Sequence, residues 1–355
     1  MEIPELQTVV QQRIAAMTQN EAAAVCNGAA SGLYLCAVSA VALKLNKPSK
    51  YLSLEELAAH EILSFSAQHI PYDFAVKQSG IRQTWVGYPN IEGSMVAADL
   101  EAAIRANTAA IYYYISSPYG LYTPGVLPLE EVLAIARKHD IPVIVDAAAQ
   151  LPPRENLWKF TAMGAAAAIF SGGKYLKGPQ SSGLIVGKKS FLEMVQETNF
   201  PNYGYGRMLK TGREEIIGLY SAIQQYLDSD CERERENAEE TVREVLAALQ
   251  NSSLYQVERV FPNEAAQPLP YVRVGLNRRV PAGVDLESVI DLIRQADLGD
   301  PADSRDSREP AVFVKPEGPY FYINPMTLPR EQVSLVIEKL ISVETLIHKE
   351  AENAS

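Results

Sequence analysis

The stretch that decides the fold reads IPVIVDAAAQ at residues 141–150 and AAAAIFSGGKYLKGPQSSGLIVG at residues 165–187. Asp146 closes the first apolar run, and Lys174 lies in the glycine-rich turn that interrupts the second. Short uninterrupted apolar runs bounded by turn residues are typical of strands that are buried on both faces. We predict two neighbouring strands of a doubly wound sheet, with Asp146 and Lys174 in the crevice beyond the strand ends.

Asp146 and Lys174 are the two side chains that an aldehyde cofactor with a pyridine ring requires. An amine can bind the aldehyde covalently, and a carboxylate can keep the ring nitrogen protonated so that the ring accepts electrons. We therefore predict a pyridoxal 5'-phosphate (PLP) site, with Lys174 as a desolvated amine. The alternatives are a surface lysine and, because AAAQ follows Asp146, a helix N-cap.

Composition limits the classes of protein and partner. The 355 residues are 47% hydrophobic and 21% charged, which fits a large α/β domain followed by a smaller one. The net charge of −11 disfavours nucleic acid and anionic membranes as partners. The chain has three cysteines and an N-terminus unlike a signal peptide, which predicts a cytoplasmic protein. Its four histidines are scattered along the sequence, so we expect no metal site.

The order of apolar patterns predicts an α/β fold with a mostly parallel, doubly wound sheet and a smaller C-terminal α+β domain. The uncharged run at 28–43 is shorter than the roughly 20 residues of a membrane span, so we predict a buried helix. We expect an N-terminal helix at 1–20, a cofactor-binding domain at 21–215 and a small domain at 216–355. The strands of the small domain are predicted at 257–260, 271–274, 312–314 and 320–323.

Further residues could bind the cofactor phosphate or a substrate. Asn27, Gly28, Ala29 and Ala30 join a predicted strand to a predicted helix, where backbone N–H groups and the helix dipole attract anions. The Ser171 hydroxyl could reach the same phosphate or be an ordinary turn residue. Arg207 and Lys210, in the loop NFPNYGYGRMLKTG at 199–212, could bind a carboxylate or phosphate or lie on a plain surface loop.

A resemblance to a known family lies in six motifs of this sequence. They are NEAAAVCNGAASG, PYDFAVKQSG, VIVDAAAQLPP, FSGGKYLKGPQSSGLIVGKK, PNYGYGRMLKTGREEIIGL and INPMTLP. Over most of its length the chain resembles fold-type-I PLP-dependent enzymes. Within them, it resembles the group related to selenocysteine synthase (L-seryl-tRNA(Sec) selenium transferase), which includes D-glucosaminate-6-phosphate ammonia-lyase. The resemblance implies that Lys174 binds the cofactor, Asp146 faces its ring nitrogen, and residues 28–30 with Ser171 hold its phosphate. It also implies that Arg207 and Lys210 lie near the active site.

The chain departs from this family in three places. Relatives commonly begin some tens of residues earlier, whereas this sequence opens at EIPELQ. Gln68 stands where relatives often have a cofactor-facing histidine, with His69 beside it. Ala149 stands where many relatives have a ligand of the phenolic oxygen, which leaves Gln150 as the candidate.

The resemblance implies a PLP-dependent lyase that eliminates a β-substituent and releases ammonia from a small amino acid or amino-sugar acid, whereas the residues alone predict only the cofactor. The resemblance implies at least a homodimer. Three alternatives remain. The first is selenium transfer on seryl-tRNA(Sec), and the second is another PLP reaction such as racemisation, transamination or aldol cleavage. The third is a catalytically impaired PLP-fold protein.

Overall fold

The strand that carries Asp146 lies in the middle of a seven-stranded sheet. The structure, a computed structural model, describes residues 2–87, 95–115, 123–263, 265–278, 280–281, 283–295, 311–314 and 316–353. The strands of this sheet are β1 (Ala22–Cys26), β2 (Glu61–Phe65), β3 (Arg82–Val86), β4 (Thr108–Tyr114), β5 (Val143–Asp146), β6 (Ala167–Ser171) and β7 (Gly183–Gly187). Their spatial order is β1-β7-β6-β5-β4-β2-β3.

The direction of the strands places the site. β3, β2, β4, β5 and β6 pair in parallel, and β7 pairs antiparallel with both β6 and β1. Two reversals make β1 parallel to β6, so β1, β4, β5 and β6 all end at one edge. The predictions that the two apolar runs form neighbouring strands and that the sheet is mostly parallel are therefore confirmed.

The helices that accompany this sheet are α1 (Ile3–Met17), α2 (Gly28–Lys44), α3 (Leu54–Ala59), α4 (Phe74–Gln78), α5 (Ala97–Ala103), α6 (Leu129–Lys138), α7 (Asn156–Met163), α8 (Lys189–Thr198) and α9 (Arg213–Asp228). α2 is the uncharged run, and its residues from Gly32 to Ala42 are all buried. A side-chain carbon at Gly32 would lie 2.9 Å from Ile169 of β6, so glycine allows the close approach of helix and sheet. The prediction of a buried helix is confirmed, and no helix within the described ranges is long and apolar enough to cross a bilayer.

A second sheet is antiparallel and has the order β10-β11-β9-β8. Its elements are α10 (Cys231–Leu249), β8 (Tyr255–Val260), β9 (Tyr271–Leu276), α11 (Leu286–Arg294), β10 (Pro316–Glu317), β11 (Tyr320–Ile323) and α12 (Val333–Asn353). Contacts divide the chain into one unit of residues 1–229 with 264–267 and another of residues 230–263 with 268–355. The core of the second unit consists of apolar residues from its helices and its sheet.

The structure corrects several predictions from the sequence. Residues 312–314 form no strand, because the Val312 N–H donates to the Ile293 carbonyl at the end of α11, and the strand pairing begins at Pro316 instead. α3, α7 and α8 were not predicted; each is six to ten residues long. Most of the predicted loops at 116–125 and 299–309 lies outside the described residues.

Candidate active site

Asp146 is the last residue of β5 and is 7% exposed. Its Oδ1 accepts a hydrogen bond from the Ala148 N–H at 3.0 Å, and its Oδ2 accepts none from any residue in the described ranges. Burial raises the pKa of Asp146 to about 6; the Ala148 N–H and Lys174 oppose the rise, and Asp73 adds to it. No helix begins here, since α7 starts at Asn156, so the helix N-cap alternative is wrong.

Lys174 lies in a tight turn that follows β6. The Gly172 N–H donates to the Ser182 carbonyl, and the Gly178 N–H donates to the Gly172 carbonyl, both at 2.9 Å. A side chain at Gly172 would come within 2.1 Å of Ser182 Oγ, so the turn requires glycine. The Nζ of Lys174 lies 5.8 Å from the Tyr72 ring centroid. Lys174 is exposed, so the described residues do not form the desolvated environment expected from the sequence.

The first turn of α2 shares the edge at which β5 and β6 end. Gly28 has a φ of +79°, and no atom lies within 4 Å of the position that its side chain would take. A side chain at Gly183 would meet the Gly28 carbonyl carbon at 2.5 Å, so the backbone of β7 packs directly against this turn. Ala29 and Ala30 complete the turn. Ser171, the last residue of β6, is half-buried at the same edge.

These residues fit a bound PLP molecule. Asp146 is a buried residue whose Oδ2, free of hydrogen bonds from the described residues, can face a protonated ring nitrogen, and Lys174 offers an accessible amine. The N-terminus of the 17-residue helix α2, next to the open space at Gly28, suits a phosphate. Because these groups come from β5, the β6–β7 turn and the start of α2, the sheet itself sets their spacing.

Gln68 and Gln150 are buried and bonded to the backbone. The Oε1 of Gln68 accepts the Tyr114 N–H at 3.0 Å, which connects the end of β2 to β4. The Nε2 of Gln150 donates to the carbonyls of Ala265 at 3.0 Å and Ile115 at 3.4 Å. These contacts give both amides a structural use, and a contact between Gln150 and the cofactor remains a prediction.

Asp73 is a buried carboxylate near this site that the sequence did not single out. It is fully buried, and its Oδ2 accepts the Ile70 N–H at 2.9 Å and pairs with Nδ1 of His69. Its Oδ1 accepts no hydrogen bond of ordinary geometry from the described residues. Burial raises the pKa of Tyr114, and Asp73 adds to that rise as it does for Asp146. The only sequence signal for Asp73 was its place in the PYD motif.

Arg207 and Lys210 line a cavity of about 800 Å³. Lys50 and Tyr34 line it too, and neither was a candidate from the sequence. The guanidinium of Arg207 lies 5.0 Å from the Phe200 ring centroid, and its Nη1 is buried without a hydrogen-bond partner among the described residues. An anion would satisfy this donor, so the cavity can bind a carboxylate or a phosphate.

The loop that carries these cations is fixed to the start of α2. The Nδ2 of Asn27 donates to the Lys210 carbonyl at 2.8 Å, and the Nδ2 of Asn199 donates to the Val25 carbonyl in β1 at 2.8 Å. Within the described ranges, no hydrogen bond or ion pair joins Arg207 or Lys210 directly to Asp146 or Lys174. The side chains of Asn27 and Asn199 thus join the loop to the strand and helix that carry the proposed phosphate site.

Comparison with known proteins places the chain in a family. The family model described as SelA, L-seryl-tRNA selenium transferase, matches residues 5–263. A 5'-C-glycyluridine monooxygenase-decarboxylase from Streptomyces sp. is 31% identical over 218 residues, 60% of this chain and 52% of that protein. The D-glucosaminate-6-phosphate ammonia lyase of Salmonella typhimurium is 30% identical over 172 residues, 47% of this chain and 43% of that protein. The chain thus spans about half the length of the curated relatives that it matches, or less.

Solved structures show the same fold. The structure of a D-glucosaminate-6-phosphate ammonia-lyase superposes with a TM-score of 0.75 at 22% identity, over 97% of this chain and 87% of that one. The ureidoglycine-glyoxylate aminotransferase of Bacillus subtilis superposes with a TM-score of 0.59 at 15% identity, over 97% and 85%. The fold is that of the fold-type-I PLP-dependent enzymes, and the chain belongs to the L-seryl-tRNA selenium transferase family.

Proposed function

We propose that this protein is a PLP-dependent lyase or transferase, and that it releases ammonia from a small amino acid or amino-sugar acid by α,β-elimination. The observation that carries the proposal is the buried Asp146 carboxylate, whose Oδ2 accepts no hydrogen bond from the part of the chain that the structure describes and which lies close enough to Lys174 for the two charges to interact. A buried carboxylate without a full set of partners is unfavourable unless a cationic ligand completes it. A protonated pyridine ring is such a ligand.

Each site residue then has a defined task. PLP, when bound, would withdraw electrons from the α-carbon of the substrate. Asp146 would keep a proton on the ring nitrogen, and the first turn of α2 with Ser171 would hold the phosphate. Lys174 would hold the cofactor covalently at rest, and its Nζ would accept the α-proton once the substrate amine has displaced it.

The substrate class follows from the cationic cavity. Arg207, Lys210 and Lys50 would bind the acidic end of the substrate, whether a carboxylate or a phosphate. The ammonia-releasing outcome is supported by the relative and the structural neighbour that are both named as D-glucosaminate-6-phosphate ammonia lyases. Loss of the β-substituent after removal of the α-proton, followed by hydrolysis, would give ammonia and a keto acid.

Selenium transfer on seryl-tRNA(Sec) is the second candidate, because the family model and several relatives have that name. The net charge of −11 disfavours a tRNA partner. We propose a small-molecule substrate, no nucleic-acid or membrane partner, a cytoplasmic location and at least a homodimer. A catalytically impaired protein is the third candidate, supported by the use of Gln68 in core hydrogen bonds.

The first experiment tests the cofactor alone. We expect wild type with added PLP to give a visible absorbance band that borohydride converts into a permanent adduct, and Lys174→Ala to give none. Lys177→Ala is the matched control, because Lys177 is an exposed lysine three residues away in the same turn. Its adduct should be as strong as that of wild type. Folded wild type without an adduct would overturn the proposal.

The second experiment tests the reaction. Amino acids and phosphorylated amino-sugar acids would be screened for ammonia release, with carbon dioxide release and oxygen consumption followed in parallel, because one relative is named a monooxygenase-decarboxylase. Ammonia without carbon dioxide or oxygen uptake supports elimination. Carbon dioxide release with oxygen uptake would overturn the lyase assignment and leave the cofactor intact. A salt-sensitive tRNA gel shift would favour the selenium transferase.

A further inference from the structure

A second cavity lies at the opposite edge of the seven-stranded sheet. Its volume is about 660 Å³, and its lining includes Thr108 and Val143, where β4 and β5 begin, and Ala166, just before β6. Asp146 and Ser171 end their strands at the other edge. This cavity is therefore separate from the proposed cofactor site.

Among the described residues, the basic side chains of Lys44, Arg137, His139 and Lys188 line the cavity, together with one carboxylate, Asp140. None of these basic side chains forms an ion pair or a side-chain hydrogen bond with any residue in the described ranges. Their neighbours behave differently. Lys138 pairs with Glu101 at 2.9 Å, and Lys189 lies 3.9 Å from Glu193. In a protein with a net charge of −11, Lys44, Arg137 and Lys188 thus lie around one cavity without a carboxylate partner among the described residues, while two adjacent lysines have such partners.

The helix dipoles explain only some of these charges. Lys44 and Arg137 lie in the last turns of α2 and α6, where a cation is favourable. Lys188 is the N-cap of α8 and Lys189 its first residue, and cations at a helix N-terminus are unfavourable. An anion bound beside Lys188 would remove this conflict, because it would face both the ammonium group and the positive end of the helix.

The floor of the cavity is apolar. It includes the buried residues Leu133, Ala136 and Phe191. A volume of about 660 Å³ lies within the range of small-molecule sites, which are roughly 300–1,000 Å³. An apolar floor with several cations at the rim suits a molecule that has both an organic body and more than one anionic group.

We propose that this cavity binds a small phosphorylated ligand with a partly apolar body, the chemical class of the nucleoside diphosphates. Arg137, Lys44 and Lys188 bind the phosphate groups, and the apolar floor contacts the body. The site does not depend on the proposed reaction, since its residues belong to the amino ends of the strands and to the ends of α2, α6 and α8.

Calorimetric titration of the full chain with pyrophosphate and with ADP tests the proposal. The variant Arg137→Gln/Lys188→Gln should weaken ADP binding at least about tenfold, because it removes two charge-assisted contacts. The control Lys138→Gln/Lys189→Gln removes two charges from adjacent positions on the same two helices, yet neither residue lines the cavity. It should bind ADP within about twofold of wild type.

The other outcomes each overturn a stated part of the inference. Equal weakening by both double variants would mean diffuse surface attraction and no site. Binding that neither variant changes would place the anion elsewhere, for example at the start of α2. Equal affinity for pyrophosphate and ADP would mean that the cavity binds the phosphate groups alone and does not recognise an organic body. If an RNA hairpin binds in a way that requires Arg137 and Lys188 while ADP does not bind, the proposal of a small ligand is overturned.

Discussion

Asp146 and Glu344 are two carboxyl groups in different units of the molecule, and the fold treats them in opposite ways. From the described residues Asp146 accepts one hydrogen bond, and burial raises its pKa to about 6. Glu344 of α12 accepts four, from the N–H groups of Ser253 and Leu254 and from the hydroxyls of Ser252 and Ser253. Burial acts to raise the pKa of Glu344, but these hydrogen bonds outweigh it and the pKa is lowered.

We interpret this difference as one between a structural carboxyl group, Glu344, and a proposed functional one, Asp146. Glu344 joins α12 to the turn before β8, and its charge is fully used within the chain. The Asp146 charge is buried, and within the described ranges only the Ala148 N–H bonds to it, which destabilises the folded protein unless a ligand supplies a further contact. Sites that bind a charged ligand are expected to break local rules of stability in this way.

The largest effect should appear in catalysis. Asp146→Asn keeps the size of the side chain and its acceptor for the Ala148 N–H, but it removes the charge that would hold the ring nitrogen cationic. We expect kcat for the substrate found in the ammonia screen to fall about a hundred- to thousandfold, as for loss of one preorganised electrostatic contact. Glu344→Gln should retain the kcat of wild type. Equal losses in the two variants would remove the functional distinction between the two carboxyls.

The next effect concerns stability without cofactor, and it has the opposite sign. The pKa of Asp146 rises from 3.8 to about 6 on folding, so the folded state binds the proton more tightly than the unfolded chain. Stability therefore falls as pH rises through this window, and above pH 6 the ionised group destabilises by roughly 3 kcal/mol at most. Asp146→Asn should raise the urea midpoint of the apoprotein at pH 8, and the gain should shrink towards zero near pH 4.

The exposed Glu338 of α12 supplies the control for that measurement. Glu338→Gln removes one negative charge without removing a buried one, so its urea midpoint should differ little from wild type at either pH. A gain for Asp146→Asn that did not change with pH would contradict the titration of Asp146 as its cause.

The sequence could predict those features of the fold and the candidate site that depend on local pattern, and it missed those that depend on tertiary contacts. Asp146 and Lys174 each follow a continuous apolar run, so local pattern identified the strands, their adjacency and the candidate pair. Residues 312–314 have the β-branched pattern of a strand, but the Ile293 carbonyl bonds the Val312 N–H instead. That competition depends on where α11 ends and has no local signal.

Other parts of the site depend on tertiary contacts. Asp73 matters because of its burial beside Tyr114 and its effect on Asp146, and Lys50 matters because the loop at 199–212 folds over it. Gln68 points into the core because the Tyr114 N–H at the end of β4 requires an acceptor. Neither burial nor such a requirement can be read from neighbouring residues in the chain.

A moderate effect is expected at Glu344. Glu344→Ala leaves the N–H groups of Ser253 and Leu254 without their acceptor and should lower the free energy of unfolding by about 1–2 kcal/mol at pH 7. Because the folded pKa is lowered, this contribution is present above the unfolded pKa of 4.5 and is lost as pH falls through the folded value. Urea unfolding at pH 7 and pH 3 checks the loss, with Glu338→Ala as control. An equal loss at both pH values would contradict an ionic contribution.

The smallest effect is expected at Ser253, where the contacts resemble a hydrolytic triad. Ser253 Oγ lies 2.6 Å from His348 Nε2 and 2.7 Å from Glu344 Oε1. An ionised carboxylate only accepts, so the hydroxyl proton points to Glu344 and the imidazole must donate to Oγ. In a working triad the imidazole accepts that proton and the carboxylate bonds the other ring nitrogen.

Ser253→Ala should therefore lower the free energy of unfolding by less than about 1 kcal/mol, since the backbone N–H contacts to Glu344 remain. A fluorophosphonate probe should not label wild type, and labelling lost in Ser253→Ala would show that Glu344 belongs to a reactive site.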